Sequence, residues 1–167
     1  MPEEFGGFDA DRLYSTILME ELAYAGDSGC GFVLHSDIVA NYVNNFGSHE
    51  QKSAWLPKMA TGEWIGAIAM TEPGTGSDLQ TISTTAVEDG DDYVINGSKI
   101  YITNGYLCDM VIVAVKTGTE EKGSANVSLI MVEADTEGFS RGKPLNKVGM
   151  KAQDTCELFF SDMRVPK

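Results

Sequence analysis

Two short segments of the chain combine residue types that suit a flat, acceptor-rich ligand. The first reads Thr71-Glu72-Pro73-Gly74-Thr75-Gly76-Ser77-Asp78. Pro73 and Gly74 favour a tight turn, and Gly74 and Gly76 permit positive φ and a close backbone approach to a ligand. Thr71, Thr75 and Ser77 bring hydroxyls that can donate to phosphate or carbonyl oxygens. A plain surface hairpin fits the same composition. The turn lacks the Gly-Lys-Ser/Thr ending of a P-loop, and GxGxxG is absent, so a nucleoside-triphosphate loop and a dinucleotide fingerprint are both excluded. The second segment reads Lys99-Ile100-Tyr101-Ile102-Thr103-Asn104-Gly105. Strand alternation places Tyr101 and Thr103 on one face and Ile102 on the other. A ring and a hydroxyl on one face suit a heterocycle with a hydrogen-bonding edge, while simple packing of a half-buried Tyr and Thr suits them equally.

Other reactive side chains are sparse. His35 and His49 have no third ligand nearby, so a helix-face or capping role is expected and no metal site. Cys30, Cys108 and Cys156 are odd in number, widely spaced and without CxxC, which points to buried thiols in a reducing compartment. Glu20 and Glu21 read as helix surface or caps, and Glu72 and Asp78 as residues that orient their own turn.

The elements that must position these residues fall into two regimes, an α+β arrangement with a boundary near residue 63. Asp9 or Asp11 can cap a helix carrying Leu13, Ile17, Leu18, Leu22 and Ala25 on one broad face and ending at Gly26. A second helix is expected from Phe32 to Phe46, with Gly47 as its stop. Ser48 followed by Gln51 is a capping-box signature for a third helix, which Pro57 should end or kink. Three such helices leave an apolar face open, so residues 1–63 read as a partial N-terminal helical bundle. Residues 64–167 carry strand patterns at Trp64 to Met70, Ile82 to Glu88, Tyr93 to Thr103, Met110 to Lys116, Val127 to Glu133 and Thr155 to Val165. Turn chemistry at Asp89-Gly90, Asn96-Gly97, Asn104-Gly105, Glu121 to Ser124 and Glu137-Gly138 separates them. Six or seven short strands predict an antiparallel β-barrel or sandwich.

The formal net charge of −13 repels nucleic acid and anionic lipid, so neither is expected as a partner. The longest apolar run, Met110 to Val115, falls well short of the ~18 residues of a membrane span. The acidic start at Met1-Pro2-Glu3-Glu4 has no apolar core, so no targeting segment is expected.

Together these motifs resemble the acyl-CoA dehydrogenases, with the long-chain enzymes as the nearest likeness within that family. The resemblance rests on Gly66 to Gln80 with its Thr-Glu-Pro-Gly-Thr-Gly-Ser-Asp core, on Ile95 to Lys99, and on Tyr101 to Gly105. Gly149 to Thr155, Glu157 to Phe160, Met19-Glu20-Glu21 and Phe46 to Gln51 extend it over essentially the whole chain.

The resemblance implies an FAD oxidoreductase of fatty acid β-oxidation that converts acyl-CoA to trans-2-enoyl-CoA. Cofactor contacts are then expected from Ile68, Ala69, Met70, Thr71, Gly76, Ser77, Tyr101, Ile102 and Thr103, with the Thr103 hydroxyl at flavin N5. Ser77, Ser124 and Ala125 are expected to touch the acyl-CoA. By the same resemblance, the family's first helices and its C-terminal helical domain, which bears the glutamate base, lie outside these residues. No catalytic residue is therefore expected here, and the fragment alone is expected to be inactive. The implied electron acceptor is an electron-transfer flavoprotein, and the full-length enzyme is a homo-oligomer. The implied location is cytoplasmic for a bacterial source and the mitochondrial matrix for a eukaryotic one. An acyl-CoA oxidase and a non-catalytic β-domain interaction module are the alternative readings.

Overall fold

A computed structural model describes residues 1–118 and 126–167. The chain divides into two compact units, one formed by Met1–Gly66 with Asn146–Gln153 and the other by Ala67–Leu145 with Asp154–Lys167.

The first unit is helical. Asp11 caps α1 (Arg12–Tyr24) by accepting from the Leu13 N–H, and Gly26 beyond its end takes φ +71°. None of α1 is buried, and Leu13, Tyr14, Ile17 and Leu18 stay exposed, so the apolar face is open as expected. The expected helix over 32–46 is divided: Val33–Val39 is π-helical and runs into α2 (Ala40–Phe46). Apolar spacing alone does not distinguish the two windings over a single turn. Within the π stretch the His35 ring bridges two partners, with Nε2 3.0 Å from the Met59 carbonyl and Nδ1 accepting the Gly66 N–H at 2.9 Å. This is a structural role for His35.

Ser48 and Gln51 form the predicted capping box of α3 (His49–Thr61). Of the two expected effects of Pro57, an end to the helix does not occur, and winding continues to the αL cap at Gly62. A mid-helix proline removes one hydrogen bond, but Leu56 and Met59 on either side of it are buried in the core of this unit with Val39 and Val43. That packing holds the last turn.

The second unit is one curled, half-barrel sheet of seven strands. They are β1 (Gly66–Ala69), β2 (Thr85–Asp89), β3 (Asp92–Thr103), β4 (Met110–Lys116), β5 (Val127–Glu133), β6 (Phe139–Arg141) and β7 (Thr155–Pro166). The order is β1-β4-β2-β3-β7-β6, with β5 also on β4. The β2–β3, β3–β7, β4–β5 and β6–β7 pairs are antiparallel, and Thr85 of β2 meets Lys116 of β4 in parallel. Ala67, Ala69, Ile95, Ile102, Val113, Leu158 and Met163 share the core, and every residue of β4 from Met110 to Val115 is buried.

Asn96-Gly97 is not a turn. It stays inside β3, opposite an extra residue on β7, where Asn96 exchanges side-chain hydrogen bonds with Asp162. Its glycine serves close packing, since a Cβ on Gly97 would lie 2.5 Å from the Thr84 hydroxyl oxygen. A second irregularity falls between Lys99 and Ile102, where three steps on β3 answer two on β7 and Tyr101 takes φ +61°. This β-bulge lets Lys99 and Ile102 both be buried.

Candidate functional site

The two ligand-suited segments are joined directly. The Ile100 N–H donates to the Thr71 carbonyl at 2.9 Å, and Lys99 Nζ donates to the Met70 carbonyl at 3.0 Å. Lys99 Nζ also pairs with Glu72 Oε1 at 2.8 Å. Glu72 Oε1 further accepts the Thr84 N–H at 2.9 Å, and Oε2 accepts both the Ser83 N–H and its hydroxyl at 2.6 Å. Burial pushes the Glu72 carboxyl up, but the hydrogen bonds from Lys99 and Ser83 outweigh it and hold it at about 2. Burial pushes the Lys99 ammonium down, and Glu72 works against that. Glu72 is ionised at neutral pH.

The turn itself closes through paired backbone bonds between Glu72 and Thr75, of 2.9 and 3.0 Å. Neither Gly74 nor Gly76 takes positive φ, so the conformational freedom expected of them goes unused. A Cβ at either position would meet nothing within 4 Å. The described chain therefore gives no packing reason for glycine there, which leaves open space beside an exposed backbone. Thr75 leaves the expected set of ligand-facing hydroxyls: it is buried and donates to the Thr81 carbonyl at 3.1 Å. The carboxylate of Glu72 does orient the turn, whereas Asp78 contributes through its carbonyl, which accepts from Thr81.

The remaining expected residues separate by exposure. Ala69 and Ile102 are core residues, and Ile68 is nearly as buried, so what these three offer a ligand is chiefly main chain. Met70, Gly76 and Ser77 are exposed, Thr71 and Thr103 are half-buried, and Tyr101 is 65% exposed. Among the described residues no hydrogen bond engages the hydroxyls of Thr71, Ser77 or Thr103. Ser124 and Ala125 lie outside the described residues. The segment after Thr103 is clamped by Asp154, just before the neighbouring β7, and by Arg141 on β6. The Asp154 carboxylate accepts the Tyr106 and Leu107 N–H groups at 2.8 and 3.1 Å, while Arg141 donates to the Gly105 and Cys108 carbonyls at 3.2 and 2.6 Å.

Sequence reasoning missed Lys99, Asp154 and Arg141 as the pins of this surface. A signal for Lys99 existed, because alternation from Ile95 through Gly97 aims it inward. None existed for the other two, which lie dozens of residues from the groups they hold. Burial raises the Cys108 and Cys156 thiols to about 11, so both are neutral at pH 7. Among the described residues no group of three His, Cys, Asp or Glu side chains could hold a metal.

Comparison with known proteins shows the family. The acyl-CoA dehydrogenase N-terminal domain model matches residues 1–63, and the acyl-CoA dehydrogenase middle domain model matches residues 67–163. The mitochondrial long-chain specific acyl-CoA dehydrogenase of Sus scrofa is 52% identical over 98% of this chain and 38% of its own length. The crystal structure of an acyl-CoA dehydrogenase from Geobacillus kaustophilus superposes with a TM-score of 0.95 at 54% identity, over 99% of this chain and 44% of that one. A glutaryl-CoA dehydrogenase from Mycobacterium smegmatis in complex with FADH2 superposes with a TM-score of 0.73 at 34% identity, over 80% of this chain and 33% of that one. The chain thus spans about two fifths of the length of the curated relatives it matches. With its helical and β units matched in order by the two domain models, the chain belongs to the acyl-CoA dehydrogenase family.

Proposed function

We propose that this chain contributes the flavin-facing and part of the substrate-facing surface of an FAD-dependent acyl-CoA dehydrogenase, most suited to long-chain thioesters. The observation that carries the reading is the direct joining of residues 70–72 to residues 99–100, beside three hydroxyls with no partner among the described residues. The donor set fits FAD. Thr71 and Thr103 present half-buried hydroxyls, Ser77 an exposed one, and Gly76 an uncovered backbone with room beside it. Met70, Thr71, Tyr101 and Thr103 would hold the isoalloxazine, and Ser77 would face both the pyrophosphate and the acyl-CoA. Ile68, Ala69 and Ile102 would contribute main chain. Bound there, FAD supplies the acceptor for the β-hydrogen, which leaves the substrate as hydride.

The Thr103 hydroxyl would donate a hydrogen bond to flavin N5 and favour electron arrival there. The α-proton needs a carboxylate, and Glu72 is unsuited to take it: buried, ion-paired and held at about 2, it is too weak a base. We therefore assign no base within these residues. The long-chain preference rests on the 52% identity to the Sus scrofa enzyme, and an electron-transfer flavoprotein is the proposed acceptor.

The test is anaerobic addition of a long-chain acyl-CoA to the FAD-loaded gene product that carries this chain. Loss of the oxidised flavin absorbance is the expected result. A flavin that stays oxidised with acyl-CoA of every chain length would overturn the dehydrogenase reading.

A further inference from the structure

The apolar sheet buries an ammonium group. The Lys99 side chain has 0% exposure, and its partner Glu72 has 2%. Apolar side chains of the same volume usually stabilise such a position as well as an ion pair does, so stability alone gives little reason for a charge there. The pair has no access to solvent, which rules out steering of a charged ligand.

What sets Lys99 apart is where its protons go. One reaches Glu72 at 2.8 Å and another the Met70 carbonyl at 3.0 Å, while the next residue, Ile100, gives its N–H to the next carbonyl, that of Thr71. Residues 70–71 are therefore anchored to residues 99–100 at two consecutive carbonyls. Glu72 in turn holds the Ser83 and Thr84 amides, so the chain on the far side of the glycine turn is tied to the same point. The β-bulge follows at once. Plain alternation from a buried Lys99 would bury Tyr101 and expose Ile102. With the extra residue, Ile102 is buried and Tyr101 is 65% exposed.

We propose that Lys99 is a positioning residue for the cofactor. Together with Glu72 it sets the offset between Met70–Thr71 and Tyr101–Thr103, so that one flat heterocycle meets both segments. The proposal rests on the flavin reading given above.

The test compares the gene product that carries this chain with its Glu72→Gln/Lys99→Met variant, which removes both charges and leaves no unpaired ion in the core. The double variant is expected to keep its thermal midpoint and slow amide exchange in β4, including Val113. Exchange of the Ile100 amide should accelerate about tenfold, and FAD affinity, read by flavin fluorescence, should weaken about tenfold or more. A merely structural ion pair predicts otherwise: once both charges are gone, stability, Ile100 protection and FAD affinity should all match the wild type. That outcome overturns the proposal. Glu72→Gln/Lys99→Gln carries the same expectation if the first variant fails to fold, since the shorter glutamine side chain does not reach the Met70 carbonyl. If the wild-type gene product that carries this chain shows no saturable FAD binding, the flavin reading fails, while Ile100 exchange still decides whether Lys99 sets the offset.

Discussion

Thr103 illustrates how a single hydroxyl gains meaning from its surroundings. Its backbone pairs with Thr155, the chain after it is clamped by Asp154 and Arg141, and its own hydroxyl is left without a partner among the described residues. A half-buried donor held this firmly is pre-oriented, and pre-oriented donors act where charge develops during reaction. Thr103→Ala should therefore slow anaerobic flavin reduction on the order of a hundredfold while changing acyl-CoA affinity much less. Stopped-flow reduction and an equilibrium titration separate the two effects. A variant that loses affinity but keeps its rate would place Thr103 against the substrate, away from N5. Thr75 is the contrasting residue: its type and place suggested a ligand contact, yet its hydroxyl is spent on Thr81. Composition named both hydroxyls, and only the hydrogen-bond partners told them apart.

Among the elements, the strands were easier to find than their irregularities. The patterns for β4 and β5 match the observed bounds, because strongly apolar β-branched runs leave little choice. β1 is shorter than its pattern, β6 was not singled out, and α3 runs through the proline that was expected to end or kink it. In each case packing outweighed local preference. The glycines show the same division. Gly97 lies within 2.7 Å of Thr84 backbone and side-chain atoms once a Cβ is added, and it takes φ +150°, whereas Gly74 has open space and no positive φ. Gly97→Ala should destabilise the sheet by about 2–3 kcal/mol, through overpacking and strain. Gly76→Ala, at a glycine equally open and without positive φ, should leave stability within about 0.5 kcal/mol and reduce FAD binding. Urea denaturation and flavin titration of both variants check this; equal stability losses would mean that crowding at residue 97 is relieved elsewhere.

At the scale of the whole molecule the acidic balance meets one buried carboxylate with a large effect on stability. Glu72 is held at about 2 against an ordinary 4.5, so the folded state favours its ionised form. The stabilisation is fully present above pH 4.5 and drains away as pH falls towards 2, because the unfolded chain takes up the proton first. It amounts to roughly 3 kcal/mol. Wild type and Glu72→Gln should therefore differ most near pH 6, and the gap should narrow through pH 4 to pH 3 in denaturation curves; a gap independent of pH would refute a depressed Glu72. The sequence by itself determined the family, the α+β order, and the two segments proposed to face the cofactor, because local turn chemistry and strand period are written residue by residue. Only the tertiary structure decided that Lys99 and Glu72 lock those segments together, that Thr75 turns inward, and that a bulge exposes Tyr101. These depend on which groups meet across 6 to 59 residues of chain, and no local pattern encodes such a meeting.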